Sequence, residues 1–275
     1  MKAIQLSRSW LALPAVAYVA TLFLAPTSIV LAYSLCRRDL HGGVQPEWSL
    51  AAWQMASDPL TLRVLMRTIL LAAVVTTVCL LLAYPSAAAL ARQQRKTRAL
   101  FIVVVSFPLV TSLLLRTYGW LNVLPLSWRG TLAGVALVLV FNYLPFMLLP
   151  LVRAFERADR ALLDAASDLG ATPWQAFCRV TIPLTLPGAA SGAALVFIPV
   201  SGEYLIPHFV GDGKVSVVGT LVMEWFGYRN WPYAAACATW LAAIILLPML
   251  IALVRSNLRA TSEDREVCVT DKSRA

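Results

Sequence analysis

Residues 164–187 read DAASDLGATPWQAFCRVTIPLTLP. Here a chain of almost unbroken apolar character turns polar in a helical pattern, so the reading of this stretch decides the fold. Upstream, Asp159 is placed to cap a helix beginning at Arg160, its carboxylate accepting orphan backbone N–H groups. Leu162, Leu163, Ala166 and Leu169 follow at the spacing of one apolar stripe, and Asp164 and Asp168 lie four apart on another face. Gly170 stands where a left-handed C-terminal cap is needed, a conformation glycine enters without steric cost. Thr172 then serves as N-cap of a second helix, with Pro173 as its first residue and Gln175 where a capping box wants Glu or Gln. Trp174 and Phe177 are three apart and share a face. The expectation is helix, sharp turn, helix, running straight into an apolar span. Such a device either folds back on its own bundle or protrudes into a partner's groove.

The rest of the chain sets the solvent. Of 275 residues, 59% are hydrophobic and 13% charged, against about a quarter charged in an ordinary soluble domain. Mean hydropathy is +0.72. The chain reads as all-α integral membrane protein. Six apolar runs are long enough, or nearly so, to span a bilayer: residues 10–35, 68–91, 99–115, 131–152, 180–202 and 231–254. The first is read as a retained helix, being longer than a leader's 7–15 apolar residues and lacking a small-residue cleavage site. Residues 1–260 are thus expected to form one transmembrane domain with cytoplasmic helices at about 159–179. Residues 261–275 are expected to be a polar cytoplasmic tail.

A net charge of +9 raises nucleic acid as a partner, but the basic residues are placed as in a membrane protein. Lys2 and Arg8, Arg92 to Arg98, Arg153 to Arg179 and Arg255 to Arg274 fall on one side of the six spans. This leads us to expect both termini in the cytoplasm and a membrane, rather than nucleic acid, as the reason for the basic charge. Arg37, Arg38, Arg63 and Arg67 run against the trend. Prolines recur within the spans, freeing carbonyls that neighbouring helices must satisfy. Small residues cluster at 188–194, letting helix backbones approach closely. The five cysteines are scattered without metal or disulfide spacing.

Asp164-Ala165-Ala166, three residues, Gly170, nine residues, then Val180-x-Ile182-Pro183 resembles the EAA signature of ABC importer permeases. The departures are Asp164 for Glu, Val180 for Ile and Ile182 for Leu. Phe107-Pro108 through Arg116, Tyr118 and Trp120, then Leu144-Pro145-Phe146-Met147, Gly202-Glu203-Tyr204 with Pro207, and Asn230-Trp231-Pro232 are similar to the spermidine/putrescine branch. The outer connection at 116–130 is shorter than that branch carries.

The resemblance implies a six-helix type I ABC importer transmembrane domain of the MetI-like kind in the bacterial inner membrane. It implies a second homologous permease subunit, two ATPase subunits and a periplasmic solute-binding protein as partners, with polyamine as cargo. Relatives serving ferric iron, thiamine, phosphonates or opine- and amino-acid-like solutes give the alternative. Asp164, Ala165, Ala166, Gly170, Pro173, Trp174, Phe177 and Pro183 would couple ATPase closure to the pore. ATP and Mg would be held by the partner and no cofactor by this chain. The residues agree with that division. Gly211-Asp-Gly213-Lys214 has His208 where a phosphate-binding loop needs its first Gly and Val215 where it needs Ser or Thr, so it reads as a turn.

Glu203, ending the fifth span, is an ionisable group at membrane depth and a candidate for the substrate path, with Tyr204 beside it for cation–π contact. The competing reading leaves it solvated or paired with Lys214 or Arg229. Arg116 and Tyr118 join the candidate path, Arg116 otherwise serving as an interfacial anchor or internal salt bridge. Residues 215–227 are too short to span and suit an interfacial or re-entrant helix. A membrane enzyme would need paired acids, a metal triad or a nucleophile elbow, and none is spaced in the sequence. A stand-alone channel leaves the Gly170–Pro173 device without a use.

Overall fold

The structure is a computed structural model and describes residues 3–157, 160–248 and 250. The expected Asp159 cap and the tail from 261 lie outside the described residues. The helices are α1 (Ala3–Ser34), α2 (Ala51–Ala56), α3 (Pro59–Ala91), α4 (Arg95–Val110), α5 (Leu113–Val123), α6 (Leu132–Arg157), α7 (Arg160–Asp168), α8 (Pro173–Ala176), α9 (Ile182–Gly202), α10 (Leu205–Val210), α11 (Val218–Gly227) and α12 (Trp231–Pro248). Among the described residues five helices are long and apolar enough to cross a membrane, or six if the bent pair α4 and α5 is one span. Exposed Leu70, Val74, Leu81, Phe101, Val103 and Leu186 make these helices apolar on their outward faces as well, which is the pattern of a lipid-facing bundle.

The chain divides into two compact units. In the larger, residues 59–223, α3, α6 and α9 enclose the core. Val75, Cys79 and Ala83 of α3 meet Val138, Leu139, Met147 and Leu151 of α6 and Val196 and Val200 of α9. Small residues set the separation. A Cβ built on Gly188 would come within 2.3 Å of the Ala154 Cβ, and one on Gly192 within 2.8 Å of the Met147 sulfur. Hydroxyls in the spans are satisfied locally: Thr68, Thr76 and Ser86 donate to Val64, Ala72 and Leu82 carbonyls one turn back, as a medium without water demands. Helices persist through Pro85, Pro145, Pro150, Pro187 and Pro199.

The third apolar run is not one helix. It breaks at Thr111, which is extended, and at Ser112, at φ −57° and ψ 132°, and α4 and α5 meet at 96°. The Thr111 hydroxyl takes the Pro108 carbonyl, a local bond that competes with helix continuation. Arg116, expected to close that span, sits instead in the first turns of α5.

The smaller unit, residues 3–58 with 224–248 and 250, holds a feature the sequence reading lacked. An antiparallel hairpin pairs β1 (Cys36–Arg38) with β2 (Val44–Trp48). Its turn uses Gly42 and Gly43 at φ of 85° and 108°, and Gly43 N–H donates to the Arg229 carbonyl at 2.8 Å. Rings line this unit: Trp53 lies 5.7 Å from Trp240 and Phe226 stacks on Trp231 at 5.5 Å.

Candidate functional site

The polar stretch folds as two short helices about a capped turn. In α7 the Ala171 N–H donates to the Ala166 carbonyl at 3.0 Å and the Gly170 N–H to the Ser167 carbonyl at 2.9 Å, the paired bonds of a Schellman cap. Gly170 adopts φ +79°, with nothing within 4 Å of where a Cβ would stand. Immediately beyond, the Gln175 N–H donates to Thr172 Oγ1 and the Thr172 N–H to Gln175 Oε1, a complete capping box with Pro173 opening α8. Two caps separated by one residue leave the elbow little backbone freedom.

From α8 the chain passes without interruption through a π-helical segment, Phe177–Thr181, into α9, so Pro173–Gly202 is one continuous 30-residue helix. Pro183 sits in the first turn of α9. Phe177 roots the elbow in the bundle. Its ring lies edge-on to Tyr84 of α3 at 6.0 Å, and Tyr84 lies edge-on to Phe155 of α6 at 5.1 Å. The Tyr84 hydroxyl is 2.9 Å from Thr185 Oγ1 in α9. Arg98 Nε donates to Glu156 at 2.8 Å beside the same cluster, and both line a cavity of about 620 Å³ with Ser167 and Phe177. Trp174 stacks on Phe177 at 5.6 Å, yet is 72% exposed, as are Leu169 at 88% and Leu162 at 50%. The expected apolar stripe thus faces away from the chain at those positions. Asp164, Ala165 and Ala166 lie in α7.

At the opposite end of α9 stands the second group. Glu203 is the residue after the helix. Its Oε2 accepts a 2.6 Å bond from the Tyr143 hydroxyl and its Oε1 accepts from the Leu205 N–H at 3.0 Å. Lys214 is not its partner among the described contacts and packs over Gly130. Arg116 lies within electrostatic reach of Tyr143, and its Nε and Nη1 are buried without hydrogen-bond partners. The carboxylate and phenol therefore form one pair drawn from α6 and the α9 exit, with the Arg116 guanidinium of α5 on the Tyr143 side. A buried, unpaired Asn142 Oδ1 lies one residue from Tyr143. Tyr118 and Tyr204 are joined through rings, Tyr118 to Phe209 at 5.0 Å, Phe209 to His208 at 5.1 Å and His208 to Tyr204 at 6.3 Å.

Tyr143, Tyr84 and Phe155 were not singled out from the sequence, where each is one aromatic in an apolar run. The Gly211–Lys214 string is a turn, with Asp212 and Gly213 at positive φ. Residues 218–227 form the short helix α11, and Gly219 lies against the Glu203 carbonyl, 2.5 Å from where its Cβ would be.

Residues 82–259 match the family described as binding-protein-dependent transport system inner membrane component. The chain is 31% identical to the spermidine/putrescine transport system permease protein PotB of Escherichia coli K12 over 245 residues, covering 82% of this chain and 89% of that one. It is 32% identical to PotB of Haemophilus influenzae over 253 residues, covering 85% and 88%. The fold superimposes with a TM-score of 0.68 on a chain of a bacterial alginate ABC transporter solved with an alginate pentasaccharide-bound periplasmic protein, at 17% identity and covering 90% and 94%. The chain belongs to the binding-protein-dependent transport system inner membrane component family, as a multi-pass ABC importer permease subunit.

Proposed function

We propose that this permease carries polyamines and works by a rigid elbow that a partner ATPase moves. The observation that carries the reading is the doubly capped turn at Gly170 and Thr172 feeding one continuous helix that ends at Glu203. A push on Leu162, Leu169 or Trp174 is delivered through Phe177 to α3, α6 and α9 together. Asp164, Ala165, Ala166, Gly170, Pro173, Trp174, Phe177 and Pro183 are the coupling residues in this reading. ATP and Mg belong to the two ATPase subunits, and this chain binds no cofactor.

Polyamine as cargo is supported by the PotB relatives over most of the chain and by a carboxylate flanked by aromatic rings at the far end of α9. Glu203, Tyr204, Arg116 and Tyr118 form the path in this reading. Because Glu203 Oε2 is held by Tyr143, an incoming ammonium group that engages that oxygen competes with the phenol, which ties cargo passage in this reading to an opening of α6 from the α9 exit. A second homologous permease completes the pore, a periplasmic protein delivers the solute, and both termini face the cytoplasm. Residues 1–260 act as one permease domain. A different small solute is the second reading, favoured by the same fold serving in an alginate transporter.

The test places single cysteines at Leu169 and Trp174 in the assembled transporter in native membranes. Disulfide or bifunctional crosslinking should capture the ATPase subunit, and a membrane-impermeant thiol reagent added outside intact spheroplasts should leave both cysteines unmodified. External labelling would overturn the orientation, and absence of ATPase capture at both positions would overturn the coupling role. Uptake of labelled spermidine by reconstituted transporter, with sulfate and thiamine as competitors, decides the cargo.

A further inference from the structure

Arg63 and Arg67 are the basic residues of α3 that run against the charge asymmetry of the chain, and the structure gives them a setting. They lie one turn apart near the start of α3, both exposed, and among the described residues neither has an ion-pair partner. Like charges at this spacing destabilise a helix, so the chain holds an uncompensated pair. Below them an open groove of about 540 Å³ runs between α3 and α6, walled by Met66, Leu70 and Val74 on one side and Ala136 on the other. Met66, Leu70 and Val74 are each more than half exposed. The groove adjoins the first turns of α6 and so lies at the end of the bundle opposite the elbow, which follows α6's last turn.

We infer that this groove is a site for one anionic phospholipid of the leaflet opposite the elbow, its phosphate held by Arg63 and Arg67 and an acyl chain laid along Met66, Leu70, Val74 and Ala136. Length supports a lipid over a soluble anion. From Arg63 to Val74 is three helical turns, roughly 16 Å at 1.5 Å per residue, about the depth of one leaflet of a 30 Å hydrocarbon core. Chemistry supports an anionic head. Two guanidinium groups one turn apart can share one phosphate through charge-assisted bonds, and basic residues at a membrane surface attract anionic lipid. The inference depends on the chain being embedded in a bilayer and not on what the transporter carries.

The assembled transporter is reconstituted in nanodiscs of phosphatidylcholine with 20%, or about one in five, phosphatidylglycerol, and the lipids retained after detergent extraction are counted by native mass spectrometry. Wild type should retain one more phosphatidylglycerol than the variant Arg63→Gln/Arg67→Gln, whose retention should fall by about tenfold or more. Ala136→Trp, which fills the groove and leaves both charges, should lose the same lipid. Glycerol phosphate, a soluble head without a chain, should not compete at millimolar concentration. Equal retention by the wild type and the arginine variant would overturn the proposal, as would equal retention of phosphatidylcholine. Displacement by glycerol phosphate would show a soluble-anion site instead. A cysteine at Met66 that crosslinks to another polypeptide would assign the groove to a protein and likewise overturn it.

Discussion

The Tyr143 hydroxyl donates a 2.6 Å bond to Glu203 Oε2 across 60 residues of sequence, joining the middle of α6 to the point where α9 ends. A carboxylate out of bulk water needs such partners, and hydrogen bonds to a charged group contribute about 1.5–3 kcal/mol each. Tyr143→Phe should therefore destabilise the purified complex by about that amount. Glu203→Gln should cost less, because the amide oxygen can still accept. In the double variant the two losses should fall short of additive by about 1 kcal/mol, the mark of residues in contact. Denaturant or thermal unfolding of all four proteins in one detergent measures the coupling, and strict additivity would mean that the carboxylate's charge adds nothing to the bond.

Within this chain, Gly170 owes its place to backbone conformation. With φ at +79° and open space around it, any L-residue pays the left-handed penalty of about 1–2 kcal/mol, whatever its size. Gly170→Ala and Gly170→Leu should thus reduce ATP-driven uptake to the same extent while leaving membrane abundance within about twofold, and Gly170→Asn, which tolerates this conformation better, should retain most activity. A fully active leucine variant would show that the turn is not under load.

The capping box makes a sharper test of stiffness. Thr172→Ala and Gln175→Ala each remove one side-chain bond to a backbone N–H, and loss of such a cap costs about 1 kcal/mol. Because Pro173 and Gly170 remain, the elbow should fray rather than unfold. Hydrogen exchange of the Thr172 and Gln175 amides should accelerate by roughly fivefold with α3 and α6 unchanged. Exchange rates identical to wild type would mean that the caps are redundant.

The elbow was legible in the sequence because its determinants are local: Gly170, Thr172, Pro173 and Gln175 lie within six positions and each acts on its neighbours. Five of the apolar spans were legible for the same reason, since each is a local run of apolar composition. What the sequence did not disclose depends on contacts between distant segments. Glu203 invited a cationic partner from nearby Lys214 or Arg229, but the fold supplies Tyr143 from α6. The break at Thr111 was hidden because residues 99–115 are apolar on both sides of it, so hydropathy runs through the 96° bend unchanged. The hairpin at Cys36 to Trp48 was obscured by its brevity and by a bulge that spoils strict alternation.

Close helix packing around α9 gives a prediction about small residues. A methyl on Gly188 would overlap the Ala154 Cβ at 2.3 Å and press on the Pro150 carbonyl at 3.0 Å, and overpacking of this kind costs about 1–3 kcal/mol. Gly188→Ala should lower thermal stability measurably. Adding Ala154→Gly removes the nearer clash and should restore about half or more of the loss, the Pro150 contact accounting for the remainder. No rescue would mean that α6 and α9 are not apposed at this level.

Trp174 and Phe177 stack on each other but should fail in opposite ways when truncated. Phe177 contacts Tyr84, which contacts Phe155, so Phe177→Ala removes a half-buried ring from the junction of three helices. Its cost should be about 2 kcal/mol, below the 3–5 kcal/mol of a fully buried ring. Because the exposed face of the elbow stays intact, the ATPase should still assemble and hydrolyse ATP, while uptake per ATP falls by at least about tenfold, since 1.4 kcal/mol of lost coupling is already a factor of ten. Trp174 is mostly exposed, so Trp174→Ala should shift stability by less than about 0.5 kcal/mol and instead release the ATPase on purification. Measuring ATPase stoichiometry, hydrolysis and uptake on both variants separates the two roles. If Phe177→Ala lost the ATPase and Trp174→Ala kept it, the load path from elbow to bundle would run the other way from the one the rings describe.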